Sequence, residues 1–243
     1  MIKALIFDLD GTLIQTEVLK ATSYAQAIQQ LTDHNVLEQQ VMDVFGKFVG
    51  LSREKVVDGL YGEFSSELKL HLGSQDSVNV KEEIINKRLS IYDEILKDAV
   101  LLSRHFCPFT LELLHKAHSE KLQIVLATMS HLPQATRMTA ILGIADKLNL
   151  ILTRDDVIKG KPDPEIYLKA KNLLQLDSDE CLVIEDSVNG IKAGLKAGMQ
   201  VFAVTNDVTR RSVHACNLLE DAYIVDTLED LSSRVFGFIR AKS

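Results

Sequence analysis

Two aspartates one residue apart, Asp8 and Asp10, follow the apolar run Ala4-Leu5-Ile6-Phe7 and precede Gly11-Thr12. The apolar run reads as a buried strand, and Gly11 permits a sharp turn at its end. A strand would therefore deliver Asp8 to a sheet edge, with Asp10 folded back over it. Unpaired buried carboxylates are costly, so such a pair needs a purpose. One acid could attack an electrophile while the other moves a proton. The structural alternative is an Asx-turn with a solvated cap.

Two later apolar runs end in the same manner. Gln123-Ile124-Val125-Leu126-Ala127 stops at Thr128, and Cys181-Leu182-Val183-Ile184 stops at Glu185-Asp186-Ser187. Helical patterns separate these runs, which predicts parallel strands with crossover helices. Open parallel sheets bind ligands at their carboxyl edge, where Asp8, Asp10, Thr128, Glu185 and Asp186 would meet. Four carboxylates in one crevice repel each other, by up to about 4 kcal/mol per contacting pair at an effective dielectric near about 20. A cation, or protons, must offset this. Few carboxylates with open coordination positions suit Mg²⁺; calcium would take more protein oxygens and zinc would take His or Cys. His34, His71, His105, His115, His118 and His214 are scattered without metal spacing. Lys159-Gly160-Lys161-Pro162-Asp163-Pro164-Glu165 adds a cation. Pro162 stiffens the backbone at Lys161, whose side chain would neutralise part of the cluster; the alternative is a solvated turn lysine. Asp163 is read as a helix N-cap, with Pro164 as the first helical residue.

Asp8-Leu9-Asp10-Gly11-Thr12, Thr128, Lys161 in Lys-Pro-Asp-Pro, and Glu185-Asp186-Ser187 stand in the order of four motifs, and by them the chain resembles the haloacid dehalogenase-like hydrolase superfamily. The resemblance implies a Rossmann-like parallel sheet core with helices on both faces. It implies a phosphohydrolase in which Asp8 attacks phosphorus to give an aspartyl-phosphate. Asp10 would act as acid and then base, and Thr128 and Lys161 would hold phosphoryl oxygens. Mg²⁺ would lie on Asp8, the Asp10 carbonyl and Asp186, with Glu185 in support. Dehalogenation does not fit, since the family's dehalogenases lack the second aspartate and the metal-binding acids.

Between Leu13 and Pro108 the pattern is helical: Glu17–Leu31, Val36–Gly46, Ser52–Leu72 and Val80–Lys97, with a loop at 73–77. The βα alternation resumes after Pro108. Residues 15–107 are read as a helical cap inserted into an α/β core of residues 1–14 and 108–243, with hinges near Gln15 and Pro108. Such a lid would exclude water and carry specificity. An insertion here resembles the cap of the β-phosphoglucomutase-like branch. There Gly50-Leu51-Ser52-Arg53-Glu54 is similar to a loop whose arginine contacts a phosphate, and Arg88, four residues before Tyr92, matches a basic cap position. Arg53, Arg88 and Lys20, with Ser130 and His131 after Thr128, are the candidate substrate-binding residues. The bland reading of both arginines is solvation on amphipathic helices. Gln15, Lys20, Met129 and His131 depart from the branch's usual residues and weaken a strict mutase assignment.

The chain has 243 residues, 46% hydrophobic and 25% charged, ample for a core. A formal net charge of −7 disfavours nucleic acid or anionic membrane as partner, and tryptophan is absent. No apolar run reaches spanning length, and the first strand begins too early for a signal peptide. Cys107, Cys181 and Cys216 form no paired pattern and read as reduced thiols of a cytoplasmic protein. No association motif stands out, so a monomer is expected. The leading expectation is a Mg²⁺-dependent phosphatase of a small phosphorylated metabolite, with a phosphomutase next and a non-catalytic phospholigand-binding module last. Gly190, Ala193, Gly194, Ala197 and Gly198 form a small-residue stripe that would let a helix pack close to the sheet.

Overall fold

The computed structural model describes residues 1–48, 51, 53–73 and 76–242. Gly50 and Ser52 of the Gly50–Glu54 loop, and Ser74 and Gln75 of the 73–77 loop, lie outside the described residues. In chain order the elements are β1 (Ala4–Phe7), α1 (Glu17–Leu31), α2 (Glu38–Phe45), α3 (Arg53–Leu72), α4 (Ser77–Ile95), α5 (Ala99–Ser103), α6 (Pro108–Ser119), β2 (Gln123–Ala127), α7 (Leu132–Ile141), β3 (Leu150–Leu152), α8 (Glu165–Leu174), β4 (Cys181–Glu185), α9 (Val188–Lys196), β5 (Gln200–Val204), α10 (Arg210–Ala215), β6 (Ile224–Val225) and α11 (Leu231–Ala241). The chain divides into two compact units, Met1–Gln15 with Ser103–Ser243, and Thr16–Leu102. The sequence bounds for the insertion were 15 and 107.

In the first unit the described strands form a six-stranded sheet ordered β3-β2-β1-β4-β5-β6, and every pairing is parallel. β1 sits centrally because its four residues are all buried, as a strand covered on both faces requires. Its ladder continues past the strand end: Asp8 donates its amide to the Ile184 carbonyl at 3.0 Å, and Thr128 donates to Leu152 at 2.9 Å. The backbones of both residues are thereby fixed at the carboxyl edge. On one face Ile6, Val125, Val183 and Val201 pack with Ile166, Tyr167 and Ala170 of α8 and Ile191 and Ala193 of α9. The small-residue stripe supplies this approach, with Gly190, Ala193 and Gly194 buried.

β3 is a strand that the sequence analysis did not separate from its surroundings. Three residues, Leu150-Ile151-Leu152, are too few to show a period. α8 starts at Glu165, one residue later than expected, so Pro164 occupies the cap position. Asp163 still caps, accepting the Glu165 amide at 3.1 Å.

The second unit is helical, with a core of Tyr24, Ile28, Val41, Val57, Leu60, Val80 and Ile84 contributed by α1 to α4. The helices follow the expected segments to within a few residues. Asp76 accepts the Val78 amide at 2.9 Å and starts α4, which advances this helix to Ser77. No helix among the described residues is long and apolar enough to cross a membrane.

Candidate active site

The turn after β1 is closed by the Leu9 carbonyl, which accepts the amides of Thr12, Leu13 and Ile14. Gly11 has φ +86°, a left-handed conformation that favours glycine. A Cβ there would lie 2.1 Å from Asp186 Oδ2, so the missing side chain is also the space into which the Asp186 carboxylate fits. This turn and the ends of β1, β2 and β4 gather the expected acids and hydroxyls at one edge.

Lys161 enters the cluster from the loop before α8, its side chain only 5% exposed. Its Nζ donates to Asp8 Oδ1 at 2.6 Å, to Glu185 Oε1 at 2.6 Å and to the Ala127 carbonyl at 2.8 Å. All three ammonium protons thus have acceptors, which is how a buried charge becomes tolerable. Burial opposes the ammonium, yet the Asp8 and Glu185 carboxylates outweigh it and hold Lys161 protonated well above the usual lysine range. Burial pushes Asp8 up to about 7, against the pull of Lys161 and with Glu185 and Asp10 adding to the rise.

Glu185 is bound through both carboxylate oxygens. Oε1 accepts from Lys161 and from the Tyr167 hydroxyl at 3.0 Å. Oε2 accepts the amides of Asp186 and Ser187 and the Ser187 hydroxyl, at 3.0, 3.1 and 3.0 Å. Ser187 Oγ also accepts the Gly190 amide at 3.0 Å, capping α9. A Cβ on Gly190 would fall 1.7 Å from Glu185 Oε1, so a side chain there would expel the carboxylate. Burial, then the Glu185 charge, keep the Tyr167 phenol well above its ordinary pKa, neutral and able to donate.

Asp8, Glu185 and Asp186 are all buried and present ligand oxygens within 4.8 Å of one another. The donor set is carboxylate alone, and it sits against the cradle left by Gly11. Oxygen donors of this number fit a hard divalent cation that keeps waters.

Asp10 stands on the β2 side of the cluster. Its Oδ2 accepts the Ser130 hydroxyl at 2.7 Å and, at 3.5 Å, that of Thr128. Thr128 Oγ1 accepts the Ser130 amide at 3.0 Å. Ser130, a candidate substrate-binding residue, thus also holds the Asp10 carboxylate. His131, a candidate to reach a phosphate or hydroxyl, places Nδ1 2.5 Å from Asp155 Oδ1; Asp155 Oδ2 accepts the Leu132 amide at the start of α7. The pair is exposed.

The remaining candidates belong to the helical unit. Lys20 donates to Glu17 at 2.9 Å, and Arg53 is exposed at the start of α3. Arg88, a candidate substrate-binding residue, departs from the bland alternative of a solvated arginine: it is 6% exposed. Its guanidinium lies 4.9 Å from the Tyr24 ring centroid and 4.5 Å from that of Tyr92, a cation–π arrangement with two rings. Among the described residues Arg88 Nε finds no hydrogen-bond partner. Burial lowers its pKa from the usual arginine value, with the two tyrosines opposing. The signal for this burial was present in the chain, since Val80, Ile84, Arg88 and Tyr92 form one buried i, i+4 stripe.

Three site residues escaped the sequence analysis in their roles: Tyr167, Ser187 and Asn206. Asn206, two residues beyond β5, donates Nδ2 to Asp186 Oδ2 at 3.3 Å. Applying to β5 the strand-end reasoning used for β1, β2 and β4 would have found it.

Comparison with known proteins agrees with this geometry. The family model described as haloacid dehalogenase-like hydrolase matches residues 2–198. The protein YhcW of Bacillus subtilis (strain 168) is 31% identical over 213 residues, covering 86% of each chain. The phosphorylated carbohydrates phosphatase of Thermotoga maritima is 27% identical over 199 residues, 82% of each chain. The β-phosphoglucomutase of Clostridium difficile shares the fold, with a TM-score of 0.64, 23% identity and coverage of 98% of this chain and 99% of its own. The chain belongs to the haloacid dehalogenase-like hydrolase family.

Proposed function

We propose that the protein is a divalent-metal-dependent phosphatase of a small phosphorylated sugar, with Mg²⁺ as the ion. The observation that carries the reading is the buried constellation at the carboxyl edge, in which Lys161 contacts Asp8 and Glu185 while Asp186 completes the acidic trio. Phosphoryl transfer needs positioning and charge stabilisation above all, and these residues offer both. Asp8 attacks phosphorus, and the bond from phosphorus to the sugar oxygen breaks as the aspartyl-phosphate forms. Asp10, oriented by Ser130, gives its proton to the departing oxygen. It then takes a proton from the water that attacks the aspartyl-phosphate, so that phosphate leaves and Asp8 is regenerated. Thr128 and Lys161 hold the phosphoryl oxygens. Asp8, the Asp10 carbonyl and Asp186, with Glu185 in support, would hold the metal. When bound, it supplies charge stabilisation to the phosphoryl group.

Substrate class follows from the Thermotoga relative, whose name gives phosphorylated carbohydrates as its substrates. In residues 15–107, read as a cap, the Tyr24 phenol lies in the fields of Arg88, Arg53 and Lys20. These cations are assigned to anion recognition. A second reading, an intramolecular phosphotransferase, is favoured by the buried Arg88 with its unsatisfied Nε, since a mutase must hold a second phosphate. The test is a screen of sugar phosphates with Mg²⁺, following both released phosphate and isomer formation with a bisphosphate primer. Phosphate release without isomer supports the phosphatase; isomer without net release replaces it with the mutase; neither product from any sugar phosphate refutes both.

A further inference from the structure

Asp186 has a neutral side-chain donor beside it. Asp8 and Glu185 share an ammonium, which both orients them and cancels charge. Asp186 Oδ2 receives the neutral amide of Asn206, whose Nδ2 also lies 3.5 Å from the Gly11 carbonyl. The orientation of that amide is determined at its other end. Asn206 Oδ1 accepts the amides of Val208 at 2.9 Å and Thr209 at 3.0 Å, and the Asn206 carbonyl accepts those of Thr209 and Arg210. Two N–H donors require oxygen on that side, so the NH₂ group must face Asp186. The turn that opens α10 thus aims a donor at the acidic cluster.

A terminal carboxylate torsion is broad and two-fold, so the aspartate backbone alone does not fix its oxygens. Partners that orient a metal ligand in this way are worth roughly 10–100-fold in metal affinity or activity. We propose that Asn206 is a positioning residue for the divalent-cation site, setting the Asp186 carboxylate against Gly11 without neutralising it. A lysine there would fix the carboxylate equally well and repel the cation; an amide does only the first. The inference rests on the metal-dependent reading above.

The test compares the full-length wild type with Asn206→Ser and Asn206→Ala. Serine retains a side-chain oxygen that can accept in the 206–209 turn and is too short to reach Asp186; alanine loses both contacts. Mn²⁺ binding is measured directly by electron paramagnetic resonance, alongside metal-free Tm and the Mg²⁺ dependence of turnover. The expected result for Asn206→Ser is an unchanged metal-free Tm and a Mn²⁺ Kd raised about tenfold. Its kcat should return to the wild-type value at saturating Mg²⁺. Asn206→Ala should show the same weaker Mn²⁺ binding with a lower metal-free Tm. Equal Mn²⁺ affinities in the wild type and Asn206→Ser overturn the inference alone, as does a lost kcat that excess Mg²⁺ does not restore. A wild type that takes up no Mn²⁺ refutes the metal reading and this inference with it.

Discussion

Replacing Lys161 by methionine keeps much of the side-chain volume and removes the ammonium at the centre of the acidic cluster. At 2.6 Å and an effective dielectric of about 20, each of its two carboxylate partners attracts it by roughly 6 kcal/mol. Much of that gross attraction offsets the desolvation of three buried charges. Deletion leaves Asp8 and Glu185 buried without a counter-ion, and breaking such a pair typically destabilises by about 3–5 kcal/mol. The deficit should depend on pH with a definite sign. Burial already pushes Asp8 up to about 7 with the ammonium present, and without it the carboxyl moves higher. A carboxyl whose pKa is higher in the folded than in the unfolded chain takes up a proton on folding. Stability is then gained as pH falls through the folded value and lost as pH rises through it. Urea unfolding of both proteins in chelator should show a larger deficit at pH 8 than at pH 5.5. Equal stability at pH 8, or a deficit that grows on acidification, would refute the placement of Lys161 between the two acids.

Two other perturbations probe the same architecture. Tyr167→Phe removes only the buried hydroxyl that donates to Glu185 at 3.0 Å; a hydrogen bond to a charged group is worth about 1.5–3 kcal/mol, so the urea midpoint should fall accordingly, and an unchanged midpoint would show that the bond contributes nothing. Burial pushes the thiols of Cys107 and Cys181 up to about 11, which leaves little reactive thiolate at pH 8. Alkylation of the native protein should therefore label half-exposed Cys216 first, with the other two reacting only on unfolding; early labelling of Cys107 would contradict its burial.

Much of the core was legible because burial and chemistry coincide along single strands. β1, β2 and β4 are apolar runs ending in acids or hydroxyls, and parallel pairing brings their carboxyl ends to one edge. β3 escaped because three residues carry no period. The burial of Arg88 was not read, because residue type outweighed position: an arginine on the stripe of Val80, Ile84 and Tyr92 is buried by its neighbours, with two tyrosine rings against its guanidinium. His131 was legible as a polar residue near the site, but its partner Asp155 lies 24 positions away, and pairing at that distance is a tertiary fact. Tyr167, Ser187 and Asn206 do their work by holding other side chains. Residue type alone does not announce such a role, since tyrosine in a core and asparagine in a turn are ordinary.

The most direct measurement is phosphate release by Asp8→Asn. The amide is isosteric with the acid and far less nucleophilic; the substitution gives up the Lys161 ion pair but relieves burial of a charge and repulsion from Glu185 and Asp10, and Lys161 keeps Glu185 and the Ala127 carbonyl. The variant should fold as the wild type does, by circular dichroism and Tm, and release no phosphate from any sugar phosphate that the wild type hydrolyses with Mg²⁺. Release at the wild-type rate would contradict Asp8 as the group that attacks phosphorus.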